Sequence, residues 1–287
     1  VPRAATPDHR TGPPYAFGVS SPSLTLTVWA GSWLSGHTSP DDVIDALHEW
    51  APMHLVGAHD AAAASAAGLP DRGVADGAAL LLTLIRRVDT AAGAGLRLVL
   101  PAPGAVHALP AGTAFASAAL AAGEGVVVGA PGTPGLGLVP VIEGPDVLRW
   151  NVFTLPAVLE IALDSGLGAA EYAMREAVRD AASALSGIPT VGTDGRRTDP
   201  RAEIAEEVAE LARHRYPPSL PARAVRILDT ADQVAAILTV AGRGGGLRAG
   251  SVSGTAGREG ALQPLWAAVR EARVGAVAAA LRAEHHR

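Results

Sequence analysis

The sequence predicts an α/β protein with a mixed, mainly parallel sheet and flanking helices in its N-terminal half, followed by an α-helical bundle or cap. Three observations predict it. Residues 96–128, LRLVLPAPGAVHALPAGTAFASAALAAGEGVVV, read as strand, proline–glycine loop, short helix and strand, the grammar of a crossover between parallel strands. Residues 147–155, VLRWNVFTL, form a further strand, rich in β-branched and aromatic side chains. From Pro156 onward the apolar residues recur with a period of 3.6.

In chain order, residues 1–20 read as a disordered lead-in without the apolar core of a signal peptide. Ser23 to Val28, SLTLTV, alternates apolar and hydroxyl side chains and is expected to be a strand. A helix opens at Ser39-Pro40, with Ser as N-cap, Pro in the first turn, and Asp41 and Asp42 at the positive end of the dipole. Val43, Ile44, Leu47 and Trp50 form its apolar face, and Pro52 stops it. Met53 to Ala58 is a second strand. A helix near 74–88 follows, with Leu80, Leu81, Leu84 and Val88 on one side, and Gly93 and Gly95 end it. After the 96–128 unit come a glycine-rich turn, a strand over 138–142, the Gly144-Pro145 turn and the 147–155 strand, antiparallel to its predecessor. The expected first domain is 21–155.

The second region, 156–287, contains four amphipathic helices: 170–185, a segment opening at Asp199-Pro200, 219–242, and 262–280. Residues 242–260, GRGGGLRAGSVSGTAGREG, have the composition of a flexible linker.

Composition excludes several chemistries. The 287 residues include no Cys, and all 23 basic residues are Arg. Disulfides, thiolate nucleophiles, Cys-held zinc and iron–sulfur clusters are therefore absent. So are Schiff-base lysines and the lysine of a P-loop. No apolar run reaches the roughly 18 residues of a membrane span, and a cytoplasmic protein is expected. The net charge of −5 is unevenly distributed. Residues 1–195 carry 9 Arg against 18 acidic residues, and residues 196–287 carry 14 against 10.

On a mainly parallel sheet, ligands sit beyond the carboxyl ends of the strands. Three expected strands each lead to a His: the first to His37, the second to His59 and Asp60, the third to His107 and then Thr113. These five residues are the candidate site. They would serve a small-molecule ligand, or an acid, a base and its orienter in a hydrolase or lyase. No metal site and no cofactor are expected. The run Gly244-Gly-Gly246-Leu-Arg-Ala249 nearly fits a dinucleotide fingerprint, but it follows a helix rather than a strand. Arg196, Arg197, Arg201, Arg213 and Arg215 form a basic cluster, yet Glu203, Glu206, Glu207 and Glu210 share its helix. That composition reads as a solvated face, and nucleic-acid binding is not expected.

RLVLPAPG (97–104), AALAAGEGVVV (118–128), GLGLVP (135–140) and PARAVRILDTADQVAAIL (221–238) together resemble an uncharacterised protein family of GC-rich actinobacteria, over most of the chain. That resemblance implies no activity and no catalytic residues. The expected function is a non-catalytic binding or interaction protein, with a protein partner or self-association through a hydrophobic helical surface.

Overall fold

Ser21 and Pro22 open a helix where the alternating run SLTLTV predicts a strand. In this computed structural model, which describes residues 21–70, 75–92, 95–106, 108–160, 167–186, 200–245 and 252–285, α1 spans Pro22–Leu34. The Ser21 side chain accepts from the Leu24 N–H at 3.2 Å. α1 is buried on nearly every side, so it needs no polar stripe, and its alternation carries no strand information. Its threonine hydroxyls are satisfied locally or by a neighbour: Thr27 Oγ1 donates to the Ser23 carbonyl at 2.6 Å, and Thr25 Oγ1 accepts from the Trp50 indole at 3.0 Å. Glu124 meets the helix start, accepting from the Ser23 N–H at 2.9 Å. Burial pushes that carboxyl above its ordinary range, against the lowering pull of Ser21 and Ser23.

α2 (Pro40–His48) follows with the full capping box between Ser39 and Asp42. Then come β1 (Met53–Ala58), α3 (Ala61–Ala67), β2 (Ala75–Asp76), α4 (Ala78–Ala92), β3 (Gly95–Val99), α5 (Ala114–Ala122), β4 (Gly125–Gly129), β5 (Gly135–Gly144) and β6 (Val147–Leu155). The C-terminal half supplies α6 (Leu167–Ser186), α7 (Pro200–Leu211), α8 (Ala222–Gly245) and α9 (Val252–His285). The α/β class, the mixed sheet and the helical second half are as the sequence predicts. Helix enters the expected 242–260 linker from both sides, with α8 reaching Gly245 and α9 starting at Val252. Residues 1–20 and 246–251 lie outside the described residues.

The sheet order is β2-β1-β6-β5-β4-β3. Among the described strands, β1 and β6 pair in parallel and the other pairs are antiparallel, which corrects the expected mainly parallel sheet. The 96–128 unit is likewise no parallel crossover. β4 begins beside the end of β3, with Gly125 opposite Val99, so the long loop and α5 return the chain to the end it left.

Pleat alternation divides the core. Leu148, Trp150 and Val152 of β6 face the larger cluster, shared with α1, α2, α4, α8 and α9. Phe153 and Leu155 face a smaller cluster beneath α5, with Phe115, Val127 and Val139. Gly137 lets Phe115 sit against the sheet: a Cβ there would lie 2.3 Å from the ring.

His54 is buried between two fixed partners. Its Nδ1 accepts from the Trp150 indole at 3.1 Å, which leaves Nε2–H to donate to the Leu47 carbonyl at 3.0 Å. A second proton on Nδ1 would face the indole N–H, and burial holds the imidazole below its ordinary value of 6.5. The unfolded chain therefore binds a proton near pH 6.5, and the folded chain only at lower pH. Stability is full above about pH 6.5 and falls as pH drops below it, by up to about 1.4 kcal/mol per pH unit for this one proton. Urea unfolding at pH 7.5 and pH 5.5 measures this. His54→Phe should reduce the difference between the two pH values, whatever it does to stability itself.

Candidate functional site

The antiparallel order disperses the histidine set that a parallel sheet would collect. β3 runs opposite to β1, so their carboxyl ends point to opposite edges. The loop carrying His37 follows a helix, not a strand. His37 is exposed, and its N–H donates to the Ser32 carbonyl at 2.9 Å, closing α1 on the larger-core face. His59 is exposed on the other face, stacked on Phe153 with ring centroids 4.6 Å apart. Phe153 in turn meets Phe115 edge-on at 6.0 Å. Thr113 caps the helix bearing Phe115, accepting from the Ala116 N–H at 3.1 Å and donating to the Pro110 carbonyl at 2.8 Å. Asp60 caps α3, accepting from the Ala63 N–H at 2.8 Å. The structure thus brings His59, Asp60 and Thr113 to the α5 side of the sheet and leaves His37 on the other. His107 lies outside the described residues. Among the described residues, no group of three or more His, Asp or Glu side chains is placed to hold a metal ion.

Two grooves lie elsewhere. The first, about 590 Å³, lies along the α7–α8 connection and the first turns of α8. Three contacts dock that connection. The Trp29 indole donates to the Arg215 carbonyl at 2.9 Å, the Ser32 and Ser219 hydroxyls lie 2.6 Å apart, and the His214 ring stacks on Trp50 at 3.6 Å, nearly parallel. Behind the groove, Asp232 accepts from the Tyr216 hydroxyl at 3.0 Å and from the Arg273 guanidinium, which is 1% exposed. Burial and the nearby Asp232 charge push the Tyr216 phenol far above its ordinary range. Burial, and then Asp232, also raise the Asp229 carboxyl, whereas burial lowers His214. Three perturbed groups around one concavity are a stronger site signal than the dispersed histidines.

The second groove, about 820 Å³, lies between the end of α1, α2 and α4. Trp33, Ile44, Ala79 and Leu82 line it, with Asp41 on one side and Arg86 and Arg87 on the other. The Arg86 guanidinium covers the Trp33 ring at 4.7 Å from its centroid. Arg87 donates to the Ala66 carbonyl at 3.0 Å. Of the basic cluster read from sequence, Arg213 pairs with Glu210 at 3.0 Å across one turn of helix; Arg196 and Arg197 lie outside the described residues.

Sequence reasoning passed over Asp232 and Arg273, although each carries a signal. Asp232 lies one turn beyond the inward Leu228, and Arg273 one turn beyond the inward Val269. A charge on an apolar stripe predicts a buried partner on a facing helix.

No helix among the described residues is long and apolar enough to cross a membrane. The family described as Rv1486c-like protein, N-terminal domain, matches residues 23–163, and the Rv1486c-like protein, C-terminal domain, matches residues 168–274. The uncharacterised protein Rv1486c of Mycobacterium tuberculosis is 42% identical over 284 residues, covering 91% of this chain and 97% of the relative. The uncharacterised protein ML1804 of Mycobacterium leprae is 37% identical over 292 residues, with the same two coverages. The uncharacterised protein MAV321 of Mycobacterium avium is 36% identical over 242 residues, covering 76% of this chain and 78% of the relative. No solved structure matches the chain.

Proposed function

This chain belongs to the Rv1486c-like protein family; as the relatives' names carry no activity, we infer function from geometry, as that of a cytoplasmic, non-catalytic binding protein. Its partner in this reading is a second copy of itself, docked through the groove between α1, α2 and α4.

The observation that carries the reading is the make-up of that groove. Its lining is apolar, at Trp33, Ile44 and Leu82, and its rim bears both signs of charge, Asp41 against Arg86 and Arg87. A two-fold axis through such a surface sets the acidic rim of one copy against the basic rim of the other, the pattern an isologous interface requires. Ala79 and Thr83 are exposed small side chains one turn apart on α4, so a facing helix can approach closely. The competing hydrolase or lyase reading needs Asp60 and Thr113 as free groups, and both already cap helices.

Sedimentation velocity over a hundredfold concentration range tests this. The wild-type protein should show a concentration-dependent dimer. Ile44→Asp, which places a charge on the half-buried groove wall, should weaken the association by at least about tenfold, a cost of about 1.4 kcal/mol. A monomer at every concentration, or a dimer indifferent to the substitution, overturns the reading.

A further inference from the structure

We propose that Arg270 of α9 is the anchor of a binding site for a small oxyanion, a carboxylate or phosphate group held side-on by its guanidinium. The site is separate from the α1–α2–α4 groove, to whose lining α9 contributes nothing.

Among the described residues of the helical half, the buried charged side chains are Asp232, Arg270 and Arg273. Two cations are thus set against one anion. Arg270 and Arg273 are three residues apart on α9 and occupy neighbouring positions on its surface. Asp232 on α8 is committed to Arg273 and to the Tyr216 hydroxyl. Arg270 is 8% exposed, and its Nε–H is buried without an acceptor. Among the described residues it forms no ion pair. The acidic group that acts on it is Glu271, the next residue in the helix. Consecutive helical side chains do not face each other, and Glu271 is exposed.

Burial holds the Arg270 guanidinium below its ordinary range but cannot discharge it, because arginine keeps its proton in proteins. A buried charge is costly unless an opposite charge meets it. The ligand that removes this cost is an anion with two oxygens on one centre, which takes Nε–H and one Nη–H together. A polyanion such as nucleic acid needs an exposed array of cations, and this one is almost enclosed, so the ligand is compact.

Isothermal titration calorimetry at neutral pH and fixed ionic strength tests the proposal, with inorganic phosphate and acetate as probes and chloride as the background ion. At least one probe should bind with a millimolar or tighter dissociation constant. Binding of phosphate alone supports a phosphate-bearing ligand, and binding of acetate alone a carboxylic acid. Arg270→Met should weaken binding by at least about tenfold. Arg270→Lys, which keeps the charge and loses the planar fork, should weaken it by less. Arg282→Met, at an exposed position on the same helix, should leave it unchanged. In oxyanion-free buffer the urea midpoint of Arg270→Met should equal or exceed that of the wild type, because the uncompensated charge is gone. Absence of heat from both probes up to about 10 mM, binding indifferent to Arg270→Met, or a lowered midpoint in that variant, the mark of a counter-charge within the chain, each overturns the proposal.

Discussion

Replacing Asp232 by Ala should lower the unfolding free energy by about 3–5 kcal/mol, read from urea denaturation at neutral pH, because it removes the charge that a buried guanidinium is paired with. Arg273 is 1% exposed, and Asp232 is also the acceptor for the Tyr216 hydroxyl, so one substitution removes an acceptor shared by two donors. The cost arises from breaking the pair rather than from the pair itself. Desolvating both ions offsets most of their attraction, so Asp232→Leu combined with Arg273→Met should recover much of the loss. A loss below about 1 kcal/mol for Asp232→Ala would place this contact among exposed ion pairs, with water reaching the guanidinium.

The second large effect is expected at Gly137. In an open strand, Gly→Ala stabilises, because the unfolded chain loses backbone freedom. At this position the new Cβ would lie 2.3 Å from Phe115 Cδ2 and 2.6 Å from its Cγ, and Phe115 is fully buried. Overpacking of that kind typically costs about 1–3 kcal/mol. The sign of the change therefore decides the question: destabilisation supports the close approach of α5 to the sheet, and stabilisation contradicts it. Phe115→Leu in the Gly137→Ala background should cost less than the same substitution in the wild type, since the smaller side chain relieves the clash that the new Cβ creates.

What the sequence made legible follows from how much of each signal is local. α2 was readable because its cap, its proline and its half-apolar face lie within a dozen residues, and the Ser39–Asp42 capping box formed as the spacing requires. β6 was readable for the same reason, at 147–155. α1 was not, because a helix buried all round has no polar face to set a period. Its start nonetheless repeats the Ser-Pro signature of α2, at Ser21-Pro22, and that signal outranks the alternation that follows.

Strand direction was the larger loss. A strand–loop–helix–strand unit reads alike whether the chain crosses over or comes back, and residues 96–128 come back. The histidine set was inferred from direction, and with the direction changed His37 and His59 lie on opposite faces of the sheet. The Tyr216–Asp232–Arg273 contact joins residues 16 and 41 positions apart on three segments, a proximity that only the folded bundle creates. The grooves are also products of packing, although Trp33, Ile44 and Leu82 are individually unremarkable as apolar helix residues.

The central claim, that the α1–α2–α4 groove is where a second copy docks, meets its most direct test in a charge exchange across the rim. Asp41→Arg and Arg87→Asp are measured singly and together by sedimentation velocity. Each single variant should weaken the dimer and the double variant should restore it, because a two-fold axis through the groove would set position 41 of one copy against position 87 of the other. Additive weakening in the double variant, or three variants indistinguishable from the wild type, would contradict it.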